Sequence, residues 1–199
     1  MAKSTAAASA DARILELAID HIRRFGPDRF TVVALARELG MSHANVYRYF
    51  ASKAGLLEAV TAQWLRPIET GLREIADSPD PARDKLERML GGLHRAYCEK
   101  LESEPELFAV FADLFRTRGG LARKHRTRIH AEVRRVIDEG AASAAFAGEE
   151  QNRALSLIFD AAHRFIHPVC LMLDRDIPRD LIAARFDRIM EIVFSTLTK

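Results

Sequence analysis

Apolar residues in this chain recur three and four positions apart almost from end to end, and no convincing alternating strand interrupts them. That spacing gathers side chains into one stripe on a helix but scatters them over both faces of a strand, so the pattern calls for an all-α fold. The first stripe is Ile14, Leu15, Ala18, Ile22 and Phe25, with Asp11 as candidate N-cap and Gly26-Pro27-Asp28 as the stop. Thr31 opens a second short helix ended by Gly40, Ser42 opens a third reaching about Phe50, and Ser52 opens a long fourth. The fourth carries Leu57, Val60, Trp64, Ile68, Leu72 and Ile75 on one side. Pro67 inside it should kink it, because the ring lacks an N–H and clashes with the preceding turn. After the loop Ser78-Pro79-Asp80-Pro81, five more helices are expected over about 82–103, 105–117, 121–147, 150–174 and 178–198. Pro105 and Pro178 suit first-turn positions, and Gly119-Gly120 separates two of the five. The expected architecture is about nine helices: a flexible arm over 1–10, a three-helix head over 11–55 and a helical body over 56–199.

The two final helices are apolar beyond the needs of one face. Leu155, Phe159, Ala162, Ile166, Val169 and Leu173 make one stripe, with Leu157, Ala161, Phe165 and Met172 adding a second. Ile182, Phe186, Ile189, Val193 and Leu197 line the last helix, widened by Leu181, Met190 and Phe194. Exposed on a monomer such a surface is a liability, and antiparallel packing against a second copy removes it. The expected seam of the homodimer is therefore Phe165, Phe186, Ile189, Met190, Val193 and Phe194, in a four-helix arrangement.

Composition narrows the class. With 48% hydrophobic and 29% charged residues over 199 positions, global disorder is excluded. No run approaches the ~20 apolar residues that span a bilayer, and the first ten residues lack an apolar core for a secretory signal. Cys98 and Cys170 form no disulfide framework and have no metal spacing, which suits reduced thiols in the cytoplasm. The net charge is only +2, but it is uneven, because residues 1–55 carry +3 and the remainder −1. A weakly basic head on a neutral body suits nucleic-acid binding. A second basic block, 116–135, sets eight Lys/Arg against Glu132 alone and reads first as a solvated helix face.

The segment 31–50, TVVALARELGMSHANVYRYF, is the informative one. A helix-turn-helix needs a small residue where its helices cross, a residue tolerating positive φ in the turn, and an apolar anchor on the second helix. Ala36, Gly40 and Val46 supply these, supported by Leu35, Leu39 and Met41. At ~100° per residue, with Val46 pointing to the core, Phe50 falls beside it and Ala44 and Arg48 fall almost opposite. Asn45 and Tyr47 stand on the flanks, with His43 and Tyr49 at the shoulders. Arg48 could then pair with a guanine, Asn45 read a base or bond the backbone, and Ala44 touch a thymine methyl. His43, Tyr47, Tyr49 and Lys53 suit phosphate contact, and Thr31 and Ser42 present helix N-termini to an anionic backbone. Each also has a plainer reading, with Thr31 and Ser42 only caps and Tyr49 half-buried packing.

These residues resemble the N-terminal DNA-binding domain of the tetracycline-repressor (TetR/AcrR) family of transcription factors over about 11–60. The matching marks are Gly26-Pro27, Thr31, Ala34-Leu35-Ala36, Gly40-Met41-Ser42, Val46-Tyr47-Arg48-Tyr49-Phe50 and Ser52-Lys53 followed by Leu56-Leu57. The chain departs from the family's usual Gly-Thr-like pair with Ala44-Asn45, so no operator sequence carries over. The resemblance implies a two-domain, nine-helix homodimer that binds double-stranded DNA and releases it when a small molecule enters the C-terminal body.

Remaining constellations are weaker. A mainly apolar effector pocket is expected near Trp64, His94, Tyr97, Phe111 and His163, with Phe108, Phe111 and Phe115 read as core first and pocket wall second. His163 and His167 share a helical face at a metal-capable spacing, but no Glu completes a zinc-protease pattern and Pro168 distorts the helix. A polar pocket lining or a satisfied buried pair fits them better, and no metal or other cofactor is expected. Cys98 and His94 have no orienting acid to make them a catalytic dyad, and no phosphate loop or dinucleotide motif occurs. Outside the resemblance, an all-α enzyme or carrier with a structural helix-turn-helix module, or a protein-interaction adaptor, stays open. An enzyme would need converging acids, bases or metal ligands, and none converges, so catalysis is not expected.

Overall fold

The computed structural model describes residues 9–146 and 151–197, and every regular element among them is a helix. In chain order these are α1 (Ala10–Phe25), α2 (Val32–Glu38), α3 (His43–Tyr49), α4 (Lys53–Asp77) and α5 (Ala82–Ser103). There follow α6 (Pro105–Arg116), α7 (Gly120–Ala142), α8 (Gln151–Ile166), α9 (Pro168–Leu173) and α10 (Arg179–Leu197). The chain divides within α4 into two compact units, Met1–Trp64 and Leu65–Lys199, whereas the sequence alone suggested a change at 55/56. α4 itself runs through Pro67 as one helix.

Three boundaries differ from the sequence reading, each for a local reason. Ser9, not Asp11, precedes the first helical residue. Asp11 sits in the first turn, where a hydrogen bond from Ser9 holds its carboxyl below the ordinary value. Residues 1–8, most of the expected flexible arm, lie outside the described residues, and Ala10 is helical. α7 ends at Ala142 instead of near 147, which itself lies outside the described residues. Ala144 turns to φ 54°, and the N–H groups of Ala145 and Phe146 return to the Gly140 carbonyl at 2.9 and 3.2 Å. Phe146 then lies so close that a Cβ on Gly140 would meet its ring at 2.0 Å, so only glycine fits under it. The helix expected over 150–174 is two, because Pro168 forces His167 into extended backbone (φ −91°, ψ 120°) and restarts the chain as α9.

In the first unit, Ile14, Ala18 and Ile22 of α1 join Phe30, Leu35, Val46, Leu56 and Val60 in a core closed to solvent. In the second, α5 packs against α6, α7, α8, α9 and α10, with α7 and α10 also against α8. That packing corrects the expected dimer seam. Phe165, Phe186, Met190, Val193 and Phe194 are buried within the protomer, and Ile189 is half-buried. Phe186 stacks on His94 with ring centroids 4.6 Å apart and meets Phe165 at 5.6 Å. A helical stripe declares that it must be covered, not by what, and here the cover is the chain's own α5 and α8. The large apolar side chains that α10 leaves outward are Leu181, 43% exposed, and Ile192, 59% exposed.

Candidate nucleic-acid interface and effector cavity

The outward face of α3 is set by the caps and turn before it. Thr31 Oγ1 accepts from the Ala34 N–H at 3.1 Å and Ser42 Oγ from the Asn45 N–H at 3.2 Å, so both hydroxyls act as N-caps. Between them Gly40 takes φ 67°, a conformation open to glycine, and the Met41 N–H reaches back to the Ala36 carbonyl at 3.0 Å. Arg24 of α1 ties α2 through Glu38 at 2.9 Å. With Val46 fully buried beneath it, α3 turns His43, Ala44, Tyr47, Arg48 and Tyr49 to solvent. Tyr47 and Tyr49 are 42% and 47% exposed, and His43 meets Tyr47 edge-on at 6.3 Å. Arg48 has no acidic partner among the described residues, which leaves its guanidinium uncommitted. Asn45 is less outward than expected, since it is half-buried with its amide 4.0 Å from the Met41 sulfur. Lys53, on the first turn of α4, lies over the Phe30 ring at 5.7 Å.

The second unit holds a cavity of about 620 Å³ between α5, α6, α7 and α8. Leu93, Phe115, Ile129, Phe159 and Ile166 give it apolar walls, and Arg126, His130, Asp160, His163 and His167 add polar groups, with Tyr97 and Thr127 completing it. Of the expected pocket residues, Tyr97, His163 and His167 line it. Trp64, His94 and Phe111 do not, because each is spent in packing. Phe111, for one, lies within a cluster of Tyr97, Phe108, Phe115 and His125. The sequence reading missed Arg126, His130, Phe159 and Asp160. Arg126 and His130 are one turn apart on α7, inside the basic block read as solvated. His130 stacks on Phe159 at 3.7 Å, and burial, reinforced by Arg126, pushes its pKa down and favours the neutral ring.

Behind this wall runs a buried polar chain. The Tyr97 hydroxyl meets His125 Nε2 at 2.6 Å, His125 Nδ1 meets Glu69 Oε1 at 2.7 Å, and Arg128 donates to Glu69 Oε2 at 2.8 Å. Burial pushes the Glu69 carboxyl up, but the bonds and charges of His125 and Arg128 outweigh it and hold the group below the usual carboxylate value. An ionised Glu69 accepts, so His125 carries a proton on Nδ1 and turns Nε2 to the Tyr97 hydroxyl. Burial, aided by the Glu69 charge, drives the Tyr97 phenol far above its ordinary pKa, so it stays a donor.

Cys98 and His94 do meet, with the sulfur 3.8 Å from Nδ1, but not as a nucleophile and base. His94 Nδ1 already bonds the Phe165 carbonyl at 2.9 Å, and burial raises the thiol's pKa. Burial also lowers the His94 pKa below 6.5. As pH falls below 6.5, the unfolded chain takes up a proton that the folded ring resists, so stability declines until the folded ring also titrates. Glu69 acts in the same direction lower down: its contribution is complete above 4.5 and is lost as pH falls through its depressed folded value. We expect the thermal midpoint to fall on acidification in these two stages, and His94→Gln to shrink the upper one, to which half-buried His130 and His167 also contribute. A midpoint flat from neutral pH down to 5 would contradict the burial of the neutral ring.

A short helix pair closed on a left-handed glycine, with an anchored second helix showing Arg48 and two tyrosines to solvent, is a helix-turn-helix of the kind bacterial regulators carry. Residues 14–60 match the family described as bacterial regulatory proteins, tetR family, and residues 82–190 match the tetracyclin repressor-like C-terminal domain. The chain belongs to the TetR family. The HTH-type transcriptional regulator BetI of Stenotrophomonas maltophilia (strain R551-3) is 32% identical over 81 residues, which is 40% of this chain and 41% of that protein. The match therefore spans about two-fifths of that curated relative's length. Among solved structures, a protein of unknown function from Rhodococcus sp. RHA1 superposes over 100% of both chains with a TM-score of 0.71 at 17% identity. The regulator FadR from Bacillus subtilis, in complex with stearoyl-CoA, covers 93% of this chain and 98% of its own, with a TM-score of 0.65 at 18% identity. RolR, in complex with resorcinol, covers 95% of each chain with a TM-score of 0.62 at 18% identity. Likeness at that identity speaks for the fold. Among the described residues no helix is long and apolar enough to cross a membrane.

Proposed function

We propose that this protein is a homodimeric, ligand-responsive transcriptional repressor that holds a pseudo-palindromic operator in double-stranded DNA and lets go when a small molecule occupies the α5–α8 cavity. The observation that carries the reading is the outer face of α3, where Ala44, Tyr47 and Arg48 are exposed opposite the buried Val46. Thr31, Ser42, His43, Tyr49 and Lys53 would hold the flanking phosphates and Asn45 would add a polar contact at the groove's edge. Two copies would set their recognition helices in successive major grooves, about 34 Å apart or somewhat more. Outward Leu181 and Ile192, with half-buried Ile189, support a seam along the free side of α10.

The cavity volume falls within the ~300–1,000 Å³ of small-molecule sites. Stearoyl-CoA and resorcinol, held by the structural relatives FadR and RolR, support a mainly apolar effector with a polar handle here. Such a molecule acts by preferring one spacing of the recognition helices, shifting the population away from the DNA-competent form.

Fluorescence anisotropy with duplexes from the DNA flanking the protein's own gene tests the proposal. Salt-sensitive binding that survives nonspecific competitor supports it, and no such affinity for any duplex overturns it. In the same assay Arg48→Ala should cost about 1–3 kcal/mol on the operator and relax base preference there, because a bidentate base contact is lost. Lys53→Ala should instead weaken all duplexes alike and flatten the salt slope by about one unit. Equal losses on operator and random DNA for Arg48→Ala would make Arg48 a phosphate contact.

A further inference from the structure

The chain break at Pro168 does more than end a helix. His163 lies one turn before the break, His167 is the extended residue at it, and Cys170 follows in the first turn of α9. One ligand atom from each lies within 4.8 Å of the other two. We propose that His163, His167 and Cys170 form a three-ligand site for a thiophilic metal ion, Zn(II) in the first instance, with its open position toward the cavity that both histidines line.

The donor chemistry fits such an ion. Two imidazoles and a thiolate suit Zn(II) or Co(II) and reject Mg(II) and Ca(II), which demand oxygen. His167 Nδ1 is buried and has no hydrogen-bond partner, an orphan that a metal bond would satisfy. Burial, with His163 and Arg126 adding to it, keeps the His167 ring in the neutral form that ligates. The two rings stack 4.7 Å apart at 30°, so the donors are gathered but not yet at the ~2.0–2.3 Å bonds zinc makes. His163 is exposed on its outer side, while Phe115, edge-on to His167 at 5.4 Å, steadies the inner ring. Burial, with the nearby Asp174 charge, raises the Cys170 thiol pKa, so binding must release its proton. Arg164, paired with Asp174 at 2.8 Å, works the other way on that thiol. Water or an effector's donor atom would complete four-coordination from the cavity side. The sequence counted against a metal because Pro168 distorts the helix, yet that distortion is what carries Cys170 round to the two histidines.

Titration of chelator-stripped protein with Co(II) reads the site directly. The expected result is one ion per chain, with a thiolate-to-cobalt band in the near ultraviolet that Zn(II) bleaches by displacement. Cys170→Ser should abolish that band, and His163→Gln, a surface change that leaves the core untouched, should weaken binding at least tenfold. Absence of a thiolate band at equimolar Co(II), or unchanged affinity in the Cys170→Ser, His163→Gln double variant, overturns the proposal. Operator binding by the stripped wild-type protein is measured alongside, so loss of the metal site and loss of the repressor reading are separate results.

Discussion

Phe186→Ala should lower folding stability by about 3–5 kcal/mol, a loss on the scale of a whole small domain's margin. The ring is 3% exposed, stacked on His94 at 4.6 Å and set against Phe165 at 5.6 Å. Truncation deletes those contacts and leaves a hole between α5, α8 and α10 that rigid helices close only in part. Ile192→Lys makes the contrast, because that side chain is 59% exposed and its loss should leave the protomer's stability within about 0.5 kcal/mol. Its effect should appear in sedimentation, as a shift from dimer to monomer. Chemical denaturation of both variants, at a protein concentration where each is monomeric, separates the two roles. A Phe186→Ala protein of wild-type protomer stability that sediments as a monomer would return the ring to the interface.

The contrast shows what a sequence can and cannot declare. The stripe Ile182, Phe186, Ile189, Val193 and Leu197 was legible as a stripe, because helical period depends only on neighbours a turn away. Its covering surface was not, because α8 and α5 come from 20 to 100 residues earlier and nothing in α10 says whether they belong to the same copy. The face of α3 was readable for the opposite reason: it has seven residues and one buried anchor, so placing Val46 places the rest. The exception, Asn45, leans on a sulfur that sequence spacing could suggest but not orient. The cavity was legible only in fragments, since its walls come from residues between Leu93 and His167 on four helices and share no local pattern. His125 and Glu69 left no trace at all, being polar residues 56 positions apart on different helices, whose burial only tertiary packing creates.

That hidden pair supports the second large effect. His125→Phe should destabilise the protein by about 2–4 kcal/mol although it keeps a ring of similar size, since each orphaned buried polar group costs about 1–3 kcal/mol. It strips the Tyr97 hydroxyl of its acceptor and leaves Glu69 with Arg128 alone. Tyr97→Phe should cost less, about 1–2 kcal/mol, because only His125 Nε2 is left without a partner. The double variant should cost less than the sum of the two by about 1 kcal/mol, for once His125 is gone there is no Tyr97 bond left to lose. The same cycle bears on effector response. If a ligand's O–H or N–H docks on the Tyr97 oxygen, Tyr97→Phe should blunt release of DNA by that ligand while leaving operator affinity alone. His125→Phe should blunt it too, because the phenol then turns freely and offers its proton instead of its lone pair. Strict additivity of the two stability losses would mean that hydroxyl and ring share no bond in solution, and the buried chain from the cavity wall to α4 would then have no physical basis.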